Sequence, residues 1–549
     1  MRRTAIRTSS YCAATDPRGS IVEFLARTTP NWLGRALGHP ELGIAALLFA
    51  WSLVSLVVLL FDVRQHGGVL SGSDGALPGA DQLLYLAWAR ESGESVLAAD
   101  PYDLTGPHSV LAPVYLLSGL AAKAGLDLRA AVWLWKPVAA VLLVTAFAAY
   151  VHEFLEGTRA RLVALVLAVF YFSPILPLLD WLGLISLFDR FEFLLISGEL
   201  MPAWQMWGYL HAVIAVALLA LALLAAGRAV EADDPSARRR LAAWSAGAGL
   251  MTSWLHPWQG LTLLLIIAAV VAWGRADRRL RVLAAPFAGA AAPIAGYAVL
   301  ALASRQWEIA ADQNHADVLP WLFLLGALAP LAAVSALGVR WPIDSVRERM
   351  LVLWPLAAFV VYLAVGNGRF HAFQGMSLPL AILAVRGWRR LGSRRGLVPA
   401  GAAAVAVVTV AGLAYEIDTL NRSIDGRTAP YTLRPDEARA LRWLEDAPRE
   451  GGVLAPEYIG MAVPAWTGRR TWVGHHAWTP DYQRRREEAD ALFNGGLNPG
   501  QARSLVAAIG PAYLLADCRN RVDLSAELGV PARRFGCATV YRSPVSRPR

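Results

Sequence analysis

Residues 42–61 read LGIAALLFAWSLVSLVVLLF, an apolar run without one charged side chain. Wound as a helix at about 1.5 Å per residue, such a run reaches across the roughly 30 Å hydrocarbon core of a bilayer. Similar runs recur along the chain. Of its 549 residues 56% are hydrophobic and only 17% charged, and the charges gather between the runs. This pattern excludes a water-soluble enzyme and predicts a polytopic α-helical membrane protein. The formal charge is +9, and apart from Lys123 and Lys136 the basic residues are all arginine. They sit in short groups between apolar runs rather than on one basic face, so they read as topology signals, and nucleic acid is not an expected partner.

Upstream of the first run lie Arg2, Arg3, Arg7, Arg18, Arg27 and Arg35. That lead is too long for the charged region of a cleaved signal peptide, so residues 1–41 are expected to form a cytoplasmic tail. Downstream, the polar segment 62–129 then falls on the extracytoplasmic side, carrying Asp74, Asp81, Glu91, Glu94, Asp100 and Asp103. Within it, 108–125 is apolar, but counting it as a span would put Arg238, Arg239 and Arg240 outside, so it reads as a re-entrant or interfacial helix. Spans near 131–150, 162–182 and 207–226 return those arginines to the cytoplasm. The stretch 241–274 is too long for one straight span and has arginines beyond both ends, so it must cross an even number of times. It breaks at His256-Pro257-Trp258-Gln259-Gly260 into two helices of about 15 residues, each about 22 Å long. Further spans near 283–303, 319–337, 351–365, 373–385 and 398–415 bring the expectation to about 11 crossings and a transmembrane domain over 42–415.

Beyond 415 the composition turns mixed. Helix-like segments at 434–444, 480–493 and 499–509 alternate with short strand-like runs such as Tyr513-Leu514-Leu515, which predicts a small α/β domain over 416–549. The parity of the crossings puts this domain outside. Of three cysteines, Cys518 and Cys537 fall within it and Cys12 lies in the N-terminal tail. An oxidising compartment lets the pair close as a disulfide; otherwise they are two free, buried thiols.

The first loop holds the strongest candidate for chemistry, in Gly79-Ala80-Asp81-Gln82-Leu83-Leu84-Tyr85. Asp81 opens an expected amphipathic helix, where a carboxylate complements the helix dipole; on position alone it reads as an N-cap. Asp100-Pro101-Tyr102-Asp103 follows in the same loop, and Trp472-Val473-Gly474-His475-His476-Ala477-Trp478-Thr479-Pro480-Asp481-Tyr482 lies in the C-terminal domain. An acidic, helix-bearing loop after the first of many spans, with a soluble domain at the end, resembles the GT-C superfamily of membrane glycosyltransferases. The resemblance is sharpest in Asp81 and Asp100 to Asp103, and the Trp472 stretch is similar to segments of bacterial members. It implies transfer of a sugar from a polyprenyl-phosphate carrier to a cell-envelope glycan, lipid or protein acceptor, outside a bacterial plasma membrane. By the same resemblance Asp81 would be general base or acceptor-orienting carboxylate.

Such a reaction asks for two things. An acceptor hydroxyl must lose its proton as it attacks the anomeric carbon, and the departing lipid phosphate needs its charge balanced. Cations expected to meet that phosphate are Arg369 and His371 in an outer turn, His256 at the helix break, and Lys136 in Trp135-Lys136-Pro137. Asp100 and Asp103 are expected to orient the acceptor or to hold a divalent cation such as Mg or Mn; no metal is required, because no close ligand cluster appears. His475 and His476 are adjacent and read as structural, and tryptophans such as Trp254, Trp258 and Trp307 read mainly as an aromatic belt. The alternative function is a transporter or flippase for a lipid-linked or amphiphilic solute. Its usual mark, paired interrupted helices in two repeats, is missing, since the break at His256 has no obvious counterpart.

Overall fold

Every stretch expected to cross the membrane is largely helical in the computed structural model, which describes residues 38–543 apart from 75–78, 275–276, 392–396, 427–428, 449–450 and 521. The expected cytoplasmic tail, with Cys12, lies outside the described residues but for its last few positions. Among the described residues five helices are long and apolar enough to cross a membrane: His39–His66, Leu128–Phe154, Leu210–Glu231, Arg278–Ala303 and Pro399–Asp425. Thr158–Phe170 and Ile175–Trp181 pass the same test only as a pair, bent by 47°, where Pro174 interrupts the helical ladder. Pro257–Trp273 and Trp321–Ala336 are apolar but shorter. The remaining expected spans form Pro235–Leu255, Val346–Ala364 and Ser377–Arg390. Arginines in the terminal turns of the first two, and the 14-residue length of the third, keep length and composition alone from marking them as spans.

The predicted break is at His256, which ends one helix and opens the next with an extended backbone, φ −154° and ψ 95°. Pro257 imposes this, because its ring clashes with a helical residue before it. The first half is longer than expected, 21 residues. Asp234 caps it by accepting from Ser236 N and Ala237 N, so Arg238 to Arg240 lie inside the helix rather than ahead of it. In the first loop, 108–125 forms a short strand, His108–Val110, and the 11-residue helix Pro113–Lys123, at about 16 Å too short to cross.

Helix Gly79–Ser92 departs from the amphipathic expectation. Leu84 and Trp88 join the core of the helical bundle, whereas Ala80, Leu83 and Leu86 join the core of the C-terminal domain. Sandwiched between two apolar bodies, it has no wet face to be amphipathic about. It packs against Pro113–Lys123 and the short helix Val463–Thr467.

The C-terminal region contains a four-stranded mixed sheet in the order Val453–Leu454, Tyr513–Ala516, Ala538–Arg542, Ala532–Phe535, the first pair parallel and the others antiparallel. Alternation along Tyr513–Ala516 sends Leu515 to one face, with Leu441 and Leu444 of Pro435–Asp446, and Leu514 to the other, with Leu492 and Val506. Cys518 and Cys537 are joined as a disulfide. The helix entering this region runs on past 415 to Asp425, and a two-residue ladder pairs Val69–Leu70 with Thr432–Leu433, tying the first loop to the domain.

Candidate active site

Asp81 sits in the first turn of Gly79–Ser92, and its neighbour Gln82 anchors that turn. Ser73 Oγ donates to Gln82 Oε1 at 3.0 Å, the Asp74 amide donates to the same oxygen, and Gln82 Nε2 donates to Trp207 O at 3.1 Å. Both Asp81 oxygens then meet donors from distant parts of the chain. Tyr209 O–H donates to Oδ2 at 2.6 Å, and His475 Nε2 pairs with Oδ1. The Ala477 amide donates to His475 Nδ1 at 3.0 Å, which places the ring proton on Nε2, facing the carboxylate. Burial alone would raise the Asp81 pKa, but the hydrogen bonds from His475 and Tyr209 prevail and hold it below the ordinary carboxylate value. Behind His475 stacks His476, ring centroids 4.7 Å apart, whose pKa burial and the neighbouring ring push down to about 4.

Two close approaches make this possible. Gly474 lies against Tyr102, where a Cβ would overlap the ring, and the Thr471 amide donates to Pro101 O at 2.9 Å. The Asp100-Pro101-Tyr102-Asp103 loop and the Trp472 stretch are thereby packed together beside Asp81. On the opposite wall Gly368, at φ 52°, opens the turn Arg369–Phe373, and a Cβ there would run into Trp258.

Between these walls lies a cavity of about 380 Å³, lined by Asp81 and His475, by His211, His256 and His371, and by aromatic side chains including Tyr85, Trp88, Tyr115, Trp254, Trp258, Trp307 and Trp478. The tryptophans expected in an interfacial belt thus surround a cavity instead. Trp88 and Trp478 meet edge to face at 5.1 Å, as do Trp307 and Trp478 at 5.5 Å. His211 Nδ1 lies 2.8 Å from Tyr115 O–H, His371 Nδ1 lies 2.8 Å from Glu199 Oε1, and His256 Nδ1 is buried with no hydrogen-bond partner among the described residues. The His256 ring is 5.2 Å from that of His371 and 6.1 Å from that of His211.

The structure therefore brings together Asp81, His256 and His371 of the residues singled out by sequence, and leaves four others aside. Lys136 is 1% exposed and spends its three N–H groups on Asp74 Oδ2 at 2.7 Å, Ser52 O at 2.9 Å and Met206 O at 2.9 Å, so it has no donor left for a phosphate. Arg369 is buried under Tyr362, donating to Tyr362 O at 3.3 Å with its guanidinium 5.6 Å from that ring, and it does not line the cavity. Asp100 accepts from Tyr102 N at 2.9 Å, and burial raises its carboxyl well above the usual value, which suits a neutral acid better than a cation ligand. Asp103 closes its own turn by accepting from Thr105 N at 3.1 Å and Thr105 Oγ at 3.2 Å. Neither carboxyl reaches the cavity. Missed from sequence were Tyr209, His211 and Glu199, and the part played by His475; only the aromatic and histidine richness of the Trp472 stretch pointed towards it.

No protein-family model and no curated protein sequence matches the chain. Solved structures do. The Archaeoglobus fulgidus oligosaccharyltransferase in the apo form is 12% identical, with a TM-score of 0.55 over 89% of this chain and 70% of that one. ArnT from Cupriavidus metallidurans bound to undecaprenyl phosphate is 13% identical, with a TM-score of 0.51 over 92% of this chain and 99% of that one. At such identities the likeness speaks for architecture alone: the chain has the GT-C fold that these two structures share, a bundle of apolar helices followed by a C-terminal α/β region.

Proposed function

We propose that the chain is a membrane glycosyltransferase, moving a sugar from a polyprenyl-phosphate carrier to a cell-envelope acceptor on the extracytoplasmic side. The observation that carries this reading is Asp81. Its two oxygens are oriented by Tyr209 and His475 at the wall of an aromatic cavity, where the broken helix meets the C-terminal domain. Each oxygen keeps a lone pair that an acceptor hydroxyl can use. That hydroxyl donates to Asp81 while its oxygen attacks the anomeric carbon. The bond from that carbon to the carrier phosphate breaks, both electrons leave with the phosphate, and the hydroxyl proton passes to Asp81. One displacement of this kind inverts the anomeric centre. The structural neighbour bound to undecaprenyl phosphate supports a lipid phosphate as the carrier.

Sidedness is part of the proposal. The cavity gathers His211 near the start of Leu210–Glu231 and His256 after the end of Pro235–Leu255, whereas Arg228 and Arg238 to Arg240 occupy the opposite ends of those helices. Arginine-rich ends favour the cytoplasm, which turns the cavity outward.

The test is purified full chain in lipid, given a panel of radiolabelled polyprenyl-phosphate sugars and a cell-envelope acceptor fraction. Label appearing in the acceptor with release of polyprenyl phosphate is the expected result. Intact labelled carrier crossing the bilayer with no transfer would instead establish the transporter alternative.

A further inference from the structure

A departing lipid phosphate needs a cation, yet no arginine or lysine is among the described residues lining the cavity. The basic side chains that line it are histidines, His211, His256, His371 and His475, and His371 is distinguished by what stands behind it. Glu199, 2% exposed at the end of the helix Leu187–Glu199, lies 2.8 Å from His371 Nδ1, and Gln374 Nε2 donates to its other oxygen. A carboxylate can only accept, so Nδ1 carries a proton and the Nε2 edge is left for the cavity that the ring lines. Gln259 Nε2 donates to His371 O at 2.7 Å and fixes the turn that carries the ring. Titratable groups also face His371 from the other elements around it: Asp81 from Gly79–Ser92, Tyr209 and His211 at the start of Leu210–Glu231, and His256 from the break. Burial opposes a charge on His371, but the charge and hydrogen bond of Glu199, helped by Asp81, outweigh it and raise the pKa above the ordinary imidazole value.

We propose that Glu199 is a positioning residue that keeps His371 an imidazolium, and that this backed imidazolium is the subsite for the phosphate of the lipid-linked donor, taking the place of an arginine or lysine. The inference rests on the reading of the chain as a lipid-phosphate-dependent transferase. A raised pKa means that the cation persists to a higher pH than an ordinary histidine would allow and is lost as pH rises through it. Removing the Glu199 charge therefore lowers the pH at which donor binding fails.

The experiment follows kcat/KM for the donor against pH in the full chain in lipid, together with equilibrium binding of undecaprenyl phosphate in nanodiscs. Glu199→Gln should move the alkaline limit of both down by about one to three pH units, the usual effect of losing an adjacent opposite charge. It should recover towards wild type in acid, which a merely structural defect would not do. Adding Glu199→Gln to His371→Gln should cost nothing further. Should Glu199→Gln not fold, His371→Arg gives the same test, since a permanent cation should abolish the alkaline limit. A loss of equal size at every pH, full additivity of the two losses, or an alkaline limit unmoved in His371→Arg would overturn the proposal. Asp81-dependent transfer whose alkaline limit ignores Glu199 sinks the subsite alone. Binding that depends on Glu199 in a chain unable to transfer sinks the transferase reading alone.

Discussion

In the proposed reaction Asp81 has to accept a proton, yet its two partners make it a poorer base than a free carboxylate. A carboxyl held below its ordinary value stays ionised across the neutral and mildly acidic range and loses its charge only as pH falls past the lowered value. On the proposed mechanism its first task is then to orient the acceptor hydroxyl, and the proton follows as the new bond to carbon forms. Transfer by wild type should accordingly persist as pH falls through the ordinary carboxylate range. His475→Ala removes the strongest contact holding the carboxyl down and should shift the acid limb of kcat/KM to higher pH; a limb that stays in place would show that His475 does not set this group. Asp81 was legible in the sequence because it is an acid opening a helix in an otherwise apolar setting. Its partners were not, since Tyr209 and His475 lie 128 and 394 residues away and no spacing rule connects them.

Among the elements, the helix Gly79–Ser92 does the positioning, and it is linked through Asp74 and Gln82 to Lys136 at the start of the helix Trp135–Phe154. There Lys136 ties three parts of the chain together: the first helix at Ser52 O, the loop at the Asp74 carboxylate, whose amide Gln82 also grips, and the turn at Met206 O. Lys136→Met would strand the Asp74 carboxylate, only 6% exposed, and should lower stability by about 3–5 kcal/mol, read as a fall in Tm in detergent. Adding Asp74→Asn should restore most of that loss; an undiminished deficit in the double variant would mean that packing, not charge, is what Lys136 supplies. Sequence marked Lys136 as a cation for the donor phosphate but could not show that its carboxylate partner comes from the first loop. The same limit hid the sandwiching of Gly79–Ser92, because a helix shared by two cores shows neither a clean polar face nor a wholly apolar one.

At the scale of the molecule, apolar runs and arginine clusters were enough to place the helices, the break at His256 and the α/β character of the C-terminal region, since hydropathy and proline act locally. How that region packs onto the first loop was out of reach, because it depends on contacts such as Thr471 with Pro101 and Gly474 with Tyr102. The proposed orientation has its own test. With Cys12 changed to Ser, a membrane-impermeant maleimide on intact cells should label Ala526→Cys, at an exposed site in the C-terminal domain, and should leave Arg340→Cys, exposed at the arginine-rich end, unlabelled until the cells are opened. The reverse pattern would invert the topology. The most direct measurement of the central claim is steady-state sugar transfer from a polyprenyl-phosphate donor by wild type and Asp81→Asn at equal folded yield in lipid. Loss of a general base should lower kcat by about 10²- to 10⁴-fold while undecaprenyl phosphate still binds; transfer at the wild-type rate in Asp81→Asn would contradict it.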